Sequence, residues 1–282
     1  MYRLPVYSED PGLADIGVIA CDMDLTLLAT NKAMPAGIHE RIDALAALGI
    51  PFCPASGRAL SSLEALFAGQ KDRMGFIADN GGLVSCFGEV VFRDLLAPAV
   101  YREVCRTCLE EVPGAVPVVC AFERAYALKR HCEHAATLGI YYPDIVWLDS
   151  FDGLDAEADK ATILFPAFDS RRWFDAVFNP RFGRSLSVAV SGGEWVDFMN
   201  RGIDKGVGLA HLCEHLGVPL AQAAAFGDAD NDAQMLEAAG HGFLMANAEP
   251  HMRAHANYLA PANEEAGVLR VIDAILAAKG AA

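Results

Sequence analysis

The 282-residue chain is short of positive charge: 22 Lys and Arg stand against 37 Asp and Glu, a formal net charge of −15. The basic residues gather in no groove-sized patch, which excludes nucleic acid and an anionic membrane surface as expected partners. Long apolar runs are missing too. No stretch approaches the ~18 uninterrupted apolar residues of a membrane span, and the opening MYRLPVYSEDPGLADIG has neither the charged start nor the apolar centre of a secretion signal. A cytoplasmic location is the expectation that follows. The eight cysteines are scattered, so they read as reduced thiols rather than a disulfide framework. Tracts of Ser, Gln, Pro or Gly are absent, as are repeats of fixed period, and 53% of the residues are apolar, the composition of an ordered globular protein.

What is present is a rhythm. Ile16 to Cys21 is a short, β-rich apolar run, as a strand buried on both faces of a parallel sheet should be. Pro35 opens a helix with Ile38, Ile42, Leu45 and Leu48 on one face, and Gly49 ends it. Ile50 to Pro54 predicts a second strand, Ala59 to Phe67 a second helix and Gly75 to Ala78 a third strand. After residue 200 the alternation returns. Leu209, Leu212 and Leu216 mark a helix, Ala223 to Phe226 a strand, Asp230 to Ala238 a helix, Gly242 to Met245 a strand and Val268 to Leu276 a last helix. Between these halves VPVVCAF with AYALK, and SLSVAV with EWVDFM, read as paired strands among helical stretches at 97–111 and 170–178. The predicted class is α/β: a Rossmann-like parallel-sheet core from residues 1–83 and 201–282, interrupted by an α+β cap domain at 84–200.

Ligands of an open parallel sheet bind beyond the carboxyl ends of its strands. The first strand delivers Asp22, Asp24 and Thr26 there, the second Ser56-Gly57-Arg58, and the third Asn80-Gly81-Gly82. Ala223 to Phe226 delivers Gly227-Asp228-Ala229-Asp230-Asn231-Asp232, and Lys205 opens a helix beside them. Taken singly, each is an ordinary turn, a helix N-terminus or a surface lysine. Taken together, they bring carboxylates, a hydroxyl and two cations to one sheet edge. Two unit charges about 4 Å apart repel by roughly 4 kcal/mol at an effective dielectric near 20, so Asp22, Asp24, Asp228 and Asp232 need a cation among them. Oxygen ligands alone favour Mg²⁺. Lys205 and Arg58 can then hold a phosphoryl group, with Ser56 donating a hydrogen bond.

These residues resemble the haloacid dehalogenase superfamily, specifically its Cof-like phosphatases with a type IIB cap inserted after the third core strand. Asp22-Met23-Asp24-Leu25-Thr26 is similar to the Asp-x-Asp-x-Thr motif, Ser56 in PASGR to the second motif, Lys205 in GIDKGVGL to the third, and Gly227 through Asp232 to the fourth. The resemblance implies a Mg²⁺-dependent phosphatase acting on small phosphomonoesters, sugar phosphates foremost. It implies Asp22 as the nucleophile that becomes a phosphoaspartate and Asp24 as general acid and base. It implies Mg²⁺ on Asp22, the backbone carbonyl of Asp24 and Asp228, with Asp232 in support and Thr26 fixing the loop. Ser56 and Lys205 would hold the phosphoryl oxygens, with Asn231 and Arg58 as further contacts. Ala266 and Asp79 depart from the pattern, standing where relatives often carry Asp and Glu; neither is a catalytic position.

The cap should choose the leaving group, and Lys129, Glu194 and Trp195 are its candidates to face the site, with a buried place in the cap core the preferred reading for Trp195. Cys105-Arg-Thr-Cys108, Cys120 and His131-Cys132-Glu133-His134 raise a zinc reading. The C-x-x-C pair falls in a predicted helix, however, which favours thiols of the cap core and surface histidines. Two other functions share the same residues. A phosphosugar mutase would return the phosphoryl group to substrate, and a sugar-phosphate sensor would bind without turnover; a pure binder has no need of both Asp22 and Asp24.

Overall fold

The computed structural model describes residues 3–122 and 124–281. In chain order, β1 (Val18–Asp22), α1 (Ile38–Ala47), β2 (Phe52–Ala55), α2 (Leu60–Leu66) and β3 (Gly75–Ala78) follow the predicted alternation, and a hairpin of β4 (Leu83–Cys86) and β5 (Glu89–Arg93) comes next. Then α3 (Pro98–Glu111), β6 (Val116–Ala121), β7 (Ala125–Leu128), α4 (Ala135–Tyr141), β8 (Ile145–Leu148) and β9 (Ala158–Leu164) lead to α5 (Ser170–Trp173). A π-helical turn at Phe174–Phe178 joins α5 to α6 (Asn179–Phe182), and β10 (Leu186–Val190) and β11 (Trp195–Asn200) follow. The chain closes with α7 (Lys205–Leu216), β12 (Ala223–Gly227), α8 (Ala233–Ala238), β13 (His241–Met245), β14 (Tyr258–Ala260) and α9 (Gly267–Ala278).

The first and last groups of strands form one eight-stranded sheet in the order β14-β13-β12-β1-β2-β3-β4-β5. From β14 to β3 it is parallel, and every residue of β1 is buried. The pleat divides β1 between two cores. Ile19 and Cys21 pack with Phe52, Phe226, Phe243 and the apolar faces of α1 and α9, while Val18 and Ala20 pack with Cys53, Ile77, Leu209 and Leu236. Ile38, Ile42 and Leu45 are the buried stripe of α1; Leu48, expected on that stripe, falls just past the helix end and is exposed.

Six strands form a second sheet, β10-β11-β9-β6-β7-β8, antiparallel except between β7 and β8. It includes both predicted strand pairs, β6 with β7 and β10 with β11. One of its faces packs α3 and the helical stretch from α5 to α6; the other meets Leu138, Tyr142 and Trp195, and Ala59 of the larger unit. Cys105, Cys108 and Cys120 are buried in these cores, and burial pushes all three thiols up, while Cys132 is exposed.

One boundary differs from expectation. β4 pairs antiparallel with β3 and β5 with β4, so the larger sheet runs on to Arg93 and the chain leaves it there rather than at residue 84. Hairpin strands look alike in sequence whether they extend one sheet or begin another, which is why β4 and β5 read as cap. Among the described residues, no helix is long and apolar enough to cross a membrane.

Candidate active site

Parallel registration brings the ends of β1, β2 and β12 to one level. Asp22 stands opposite Ala55, the residue before Ser56, and Cys21 opposite Phe226, two residues before Asp228. β1 stops at Asp22, so a loop rather than the pleat directs Asp24. That loop turns back on itself, with Leu27 N–H donating to Asp22 O (3.2 Å) and Leu28 N–H to Met23 O (2.8 Å), and Leu25 takes a left-handed φ of 64°.

Lys205 is wholly buried between two carboxylates, its Nζ 2.6 Å from Asp22 Oδ1 and 2.6 Å from Asp232 Oδ1. It opens α7, whose N-terminus is capped by Asp204 accepting from Val207 N–H at 2.9 Å. Asp232 Oδ2 accepts from the amides of Asp228 and Ala229, both at 3.0 Å, and Thr26 Oγ1 donates to Asp228 Oδ1 at 2.7 Å. Asp232 thus ties Lys205 to the amides of Asp228 and Ala229, and Thr26 ties the loop after β1 to Asp228. Ser56 is buried at the head of its loop, its Oγ accepting from Arg58 N–H.

Asp24 and Arg58 meet directly. Arg58 Nε lies 3.2 Å and Nη2 2.9 Å from the two Asp24 oxygens, and Lys32 Nζ, not singled out from sequence, lies 2.8 Å away. Burial opposes the charged form of Asp24, yet Arg58 and Lys32 outweigh it and hold the carboxyl below the usual range. Arg58, expected on a phosphoryl group, thus has a carboxylate for its partner here.

The neighbouring acids shift the other way. Burial first, then the charge of Asp232, pushes Asp22 well up despite Lys205, and the same two causes raise Asp228 to about 7. Burial disfavours the ammonium of Lys205, but Asp22 and Asp232 outweigh it and raise its pKa. One oxygen each from Asp22, Asp228 and Asp232 lies within 4.8 Å of the others. Both Asp232 oxygens already accept hydrogen bonds, which leaves Asp22 and Asp228 as the carboxylates with an oxygen to offer. An all-oxygen set carrying more negative charge than one lysine offsets suits a hard divalent cation such as Mg²⁺.

Over this floor lies a pocket of about 330 Å³, lined below by Asp22, Asp24, Ser56, Arg58, Asp228 and Asn231 and above by residues of the second sheet. Asn231 Nδ2 donates to Asn80 Oδ1 at 3.0 Å. Glu194 lines the roof; Trp195 is buried in the core of the smaller unit, as preferred, and also borders the pocket, whereas Lys129 pairs with Asp149 at 2.8 Å on the exposed surface and is not among the pocket's lining. The roof also holds Tyr141, Tyr142 and Phe168, and a wholly buried lysine on β9, Lys160. Lys160 Nζ donates to Gly57 O and lies 3.2 Å from Asp79 and 3.3 Å from Asp197. Asp197 Oδ2 accepts from Asn80 Nδ2 (2.7 Å) and Ser191 Oγ (2.6 Å). Neither member of that cross-strand pair, on the neighbouring β9 and β11, was among the expected site residues. The signal was a charge inside an otherwise buried strand: Lys in ADKATIL and Asp in EWVDFM.

Residues 19–272 match the family model for haloacid dehalogenase-like hydrolases. The 5-amino-6-(5-phospho-D-ribitylamino)uracil phosphatase of Escherichia coli (strain K12) is 31% identical over 274 residues, covering 93% of this chain and 96% of that protein. The HMP-PP phosphatase of Cronobacter sakazakii is 26% identical over 263 residues, covering 85% and 88%. A crystal structure from Streptococcus mutans UA159 superposes with a TM-score of 0.84 at 27% identity, covering 93% of this chain and 99% of that one.

Proposed function

The chain belongs to the haloacid dehalogenase-like hydrolases and is a phosphatase, and from that premise we propose that it hydrolyses small phosphomonoesters with Mg²⁺ through a phosphoaspartate on Asp22. The observation that carries this reading is the placement of Asp22 at the end of a buried strand and on the floor of the pocket, with one oxygen held by Lys205 at 2.6 Å. A fixed carboxylate with a second oxygen to offer is a nucleophile aimed by its neighbour.

In the first step Asp22 attacks phosphorus, the bond from phosphorus to the leaving oxygen breaks, and that oxygen takes a proton from Asp24. In the second, Asp24 removes a proton from water, the water oxygen attacks phosphorus, and phosphate leaves Asp22. Lys205 and Ser56 hold phosphoryl oxygens throughout, and Asn231 supports them from the rim. Arg58 and Lys32 keep Asp24 ionised until a phosphoryl group competes for their charge; their release lets Asp24 carry the proton it must deliver. Asp22, Asp228 and the carbonyl of Asp24 would hold Mg²⁺, which when bound offsets the charge of the carboxylates and of the phosphoryl group. The six-stranded unit serves as the cap that shuts water out of the first step and meets the leaving group. Sugar phosphates fit the polar floor, and the substrate in the name of the Escherichia coli relative, a phosphorylated ribityl chain on uracil, is a small phosphomonoester of this kind.

The test is phosphate release from 4-nitrophenyl phosphate with Mg²⁺, compared between the wild type and Asp22→Asn. Loss of turnover is expected, because the amide is a poor nucleophile. Equal release from both proteins would remove Asp22 from the mechanism.

A further inference from the structure

Nearly every ionisable side chain that lines the pocket has a partner in the protein. Asp22 has Lys205, Asp24 has Arg58 and Lys32, Asp228 has the Thr26 hydroxyl, and Asp197 has Lys160, Asn80 and Ser191. Glu194 differs. It lines the same pocket half-buried, and among the described residues its carboxylate makes no hydrogen bond and no ion pair. A carboxylate in a site that receives an anionic group works against binding unless something on the ligand answers it.

Its surroundings say what that something is. Trp195 follows it in the chain, with the Tyr141 and Tyr142 rings set edge-on to the indole at centroid distances of 5.0 and 6.4 Å. Phe168 lines the same pocket, 67% exposed and held at a left-handed φ of 58°. Aromatic walls accept a flat face, and a half-buried carboxylate among them accepts hydrogen bonds from N–H donors or balances a positive charge.

We infer that Glu194 is a specificity-determining residue: it selects leaving groups that pair a flat face with N–H donors or a cation, and it rejects leaving groups that carry a second anion. This rests on the phosphatase reading above and narrows its substrate class. The floor's Arg58 and Lys32 pair with Asp24, and the roof's one cation, Lys160, is taken up by Asp79 and Asp197, so a second phosphate or a carboxylate on the leaving group would meet Glu194 with no cation free to compensate.

The experiment uses the full chain with Mg²⁺ and two aryl phosphates, 4-aminophenyl phosphate and 4-carboxyphenyl phosphate, in wild type, Glu194→Gln and Glu194→Lys. Comparing one substrate across the three proteins cancels its intrinsic reactivity, so the readout is the ratio of kcat/KM, carboxy over amino. The ratio should rise at least tenfold in Glu194→Gln and further in Glu194→Lys. A ratio constant within twofold across all three overturns the assignment of Glu194 while leaving the phosphatase reading intact. Absence of turnover on both substrates and on 4-nitrophenyl phosphate in the wild type overturns the hydrolase reading and this inference with it.

Discussion

Replacing Lys205 with Met should expose the electrostatic design of the floor. The ammonium is wholly buried and sits 2.6 Å from both Asp22 and Asp232. Taking one partner out of a buried charge cluster costs about 3 to 5 kcal/mol, because the remaining charges stay desolvated. Direct repulsion gives a similar figure: the carboxylate oxygens lie within 4.8 Å of one another, so each ionised pair repels by at least roughly 3.5 kcal/mol at an effective dielectric near 20. The carboxyls can escape by taking up protons. An aspartate whose folded pKa lies above its unfolded value near 4 costs no stability below that value; the cost grows by about 1.4 kcal/mol per pH unit above it and is complete past the folded pKa. The loss in Lys205→Met should therefore be largest near pH 8 and shrink toward pH 5. Urea unfolding at pH 5, 7 and 8 in EDTA measures it. An equal loss at all three values would show that Lys205 contributes packing rather than charge, and no loss would refute the buried cluster outright.

Asp24→Asn removes the proton carrier without changing shape, and kcat should fall by about 10²- to 10⁴-fold, read from steady-state rates on a substrate with a poor leaving group such as a sugar phosphate. Asp228 sits at about 7 in the metal-free protein, and proton and Mg²⁺ compete for it. Because Asp22 is also pushed up, calorimetric titration should find Mg²⁺ affinity weakening on acidification through pH 7, by up to tenfold per unit for each ligand carboxyl that takes up a proton; affinity that rises on acidification would exclude Asp228 as a ligand. Gly81 has φ +94°, and a Cβ there would meet the Asp204 carbonyl oxygen at 2.1 Å. Gly81→Ala should therefore destabilise by several kcal/mol in thermal unfolding, against about 1 kcal/mol for Gly49→Ala, where φ is also positive but the space is open.

The parallel core was readable because its strands are buried on both faces and end in polar residues. Runs such as VIACD and AAAFG have few other ways to bury themselves. Asp22, Ser56 and Asp228 were readable for the same reason, each standing at the end of such a run or one step past it, and Lys205 because it opens a helix in a motif beside them. Side-chain partnerships were not. Arg58 sits in the loop the sequence marks, but its Asp24 partner depends on a turn whose path only the folded loop defines. Lys32 looks like any loop lysine, and Lys160 lies in a strand where period-two reasoning would send it to solvent. Hairpin β4–β5 was misplaced because antiparallel pairing between neighbours in sequence carries no mark of which sheet it joins.

Lys160 also constrains how proteins of this kind can be recombined. Its ammonium is rooted in β9 of the smaller sheet, yet two of its three oxygen partners, Gly57 and Asp79, belong to the larger one. A chimera that received residues 94–200 without a lysine at this position would leave Asp79 buried with no cation, and one that donated them would carry Lys160 to a host that must supply an acid at position 79. The carbonyl of residue 57 and the side chains at 79, 160 and 197 therefore form one coupling that spans the junction between the two units. In this protein, exchanging the smaller unit therefore disturbs a buried charge at the junction before it changes the pocket's choice of substrate.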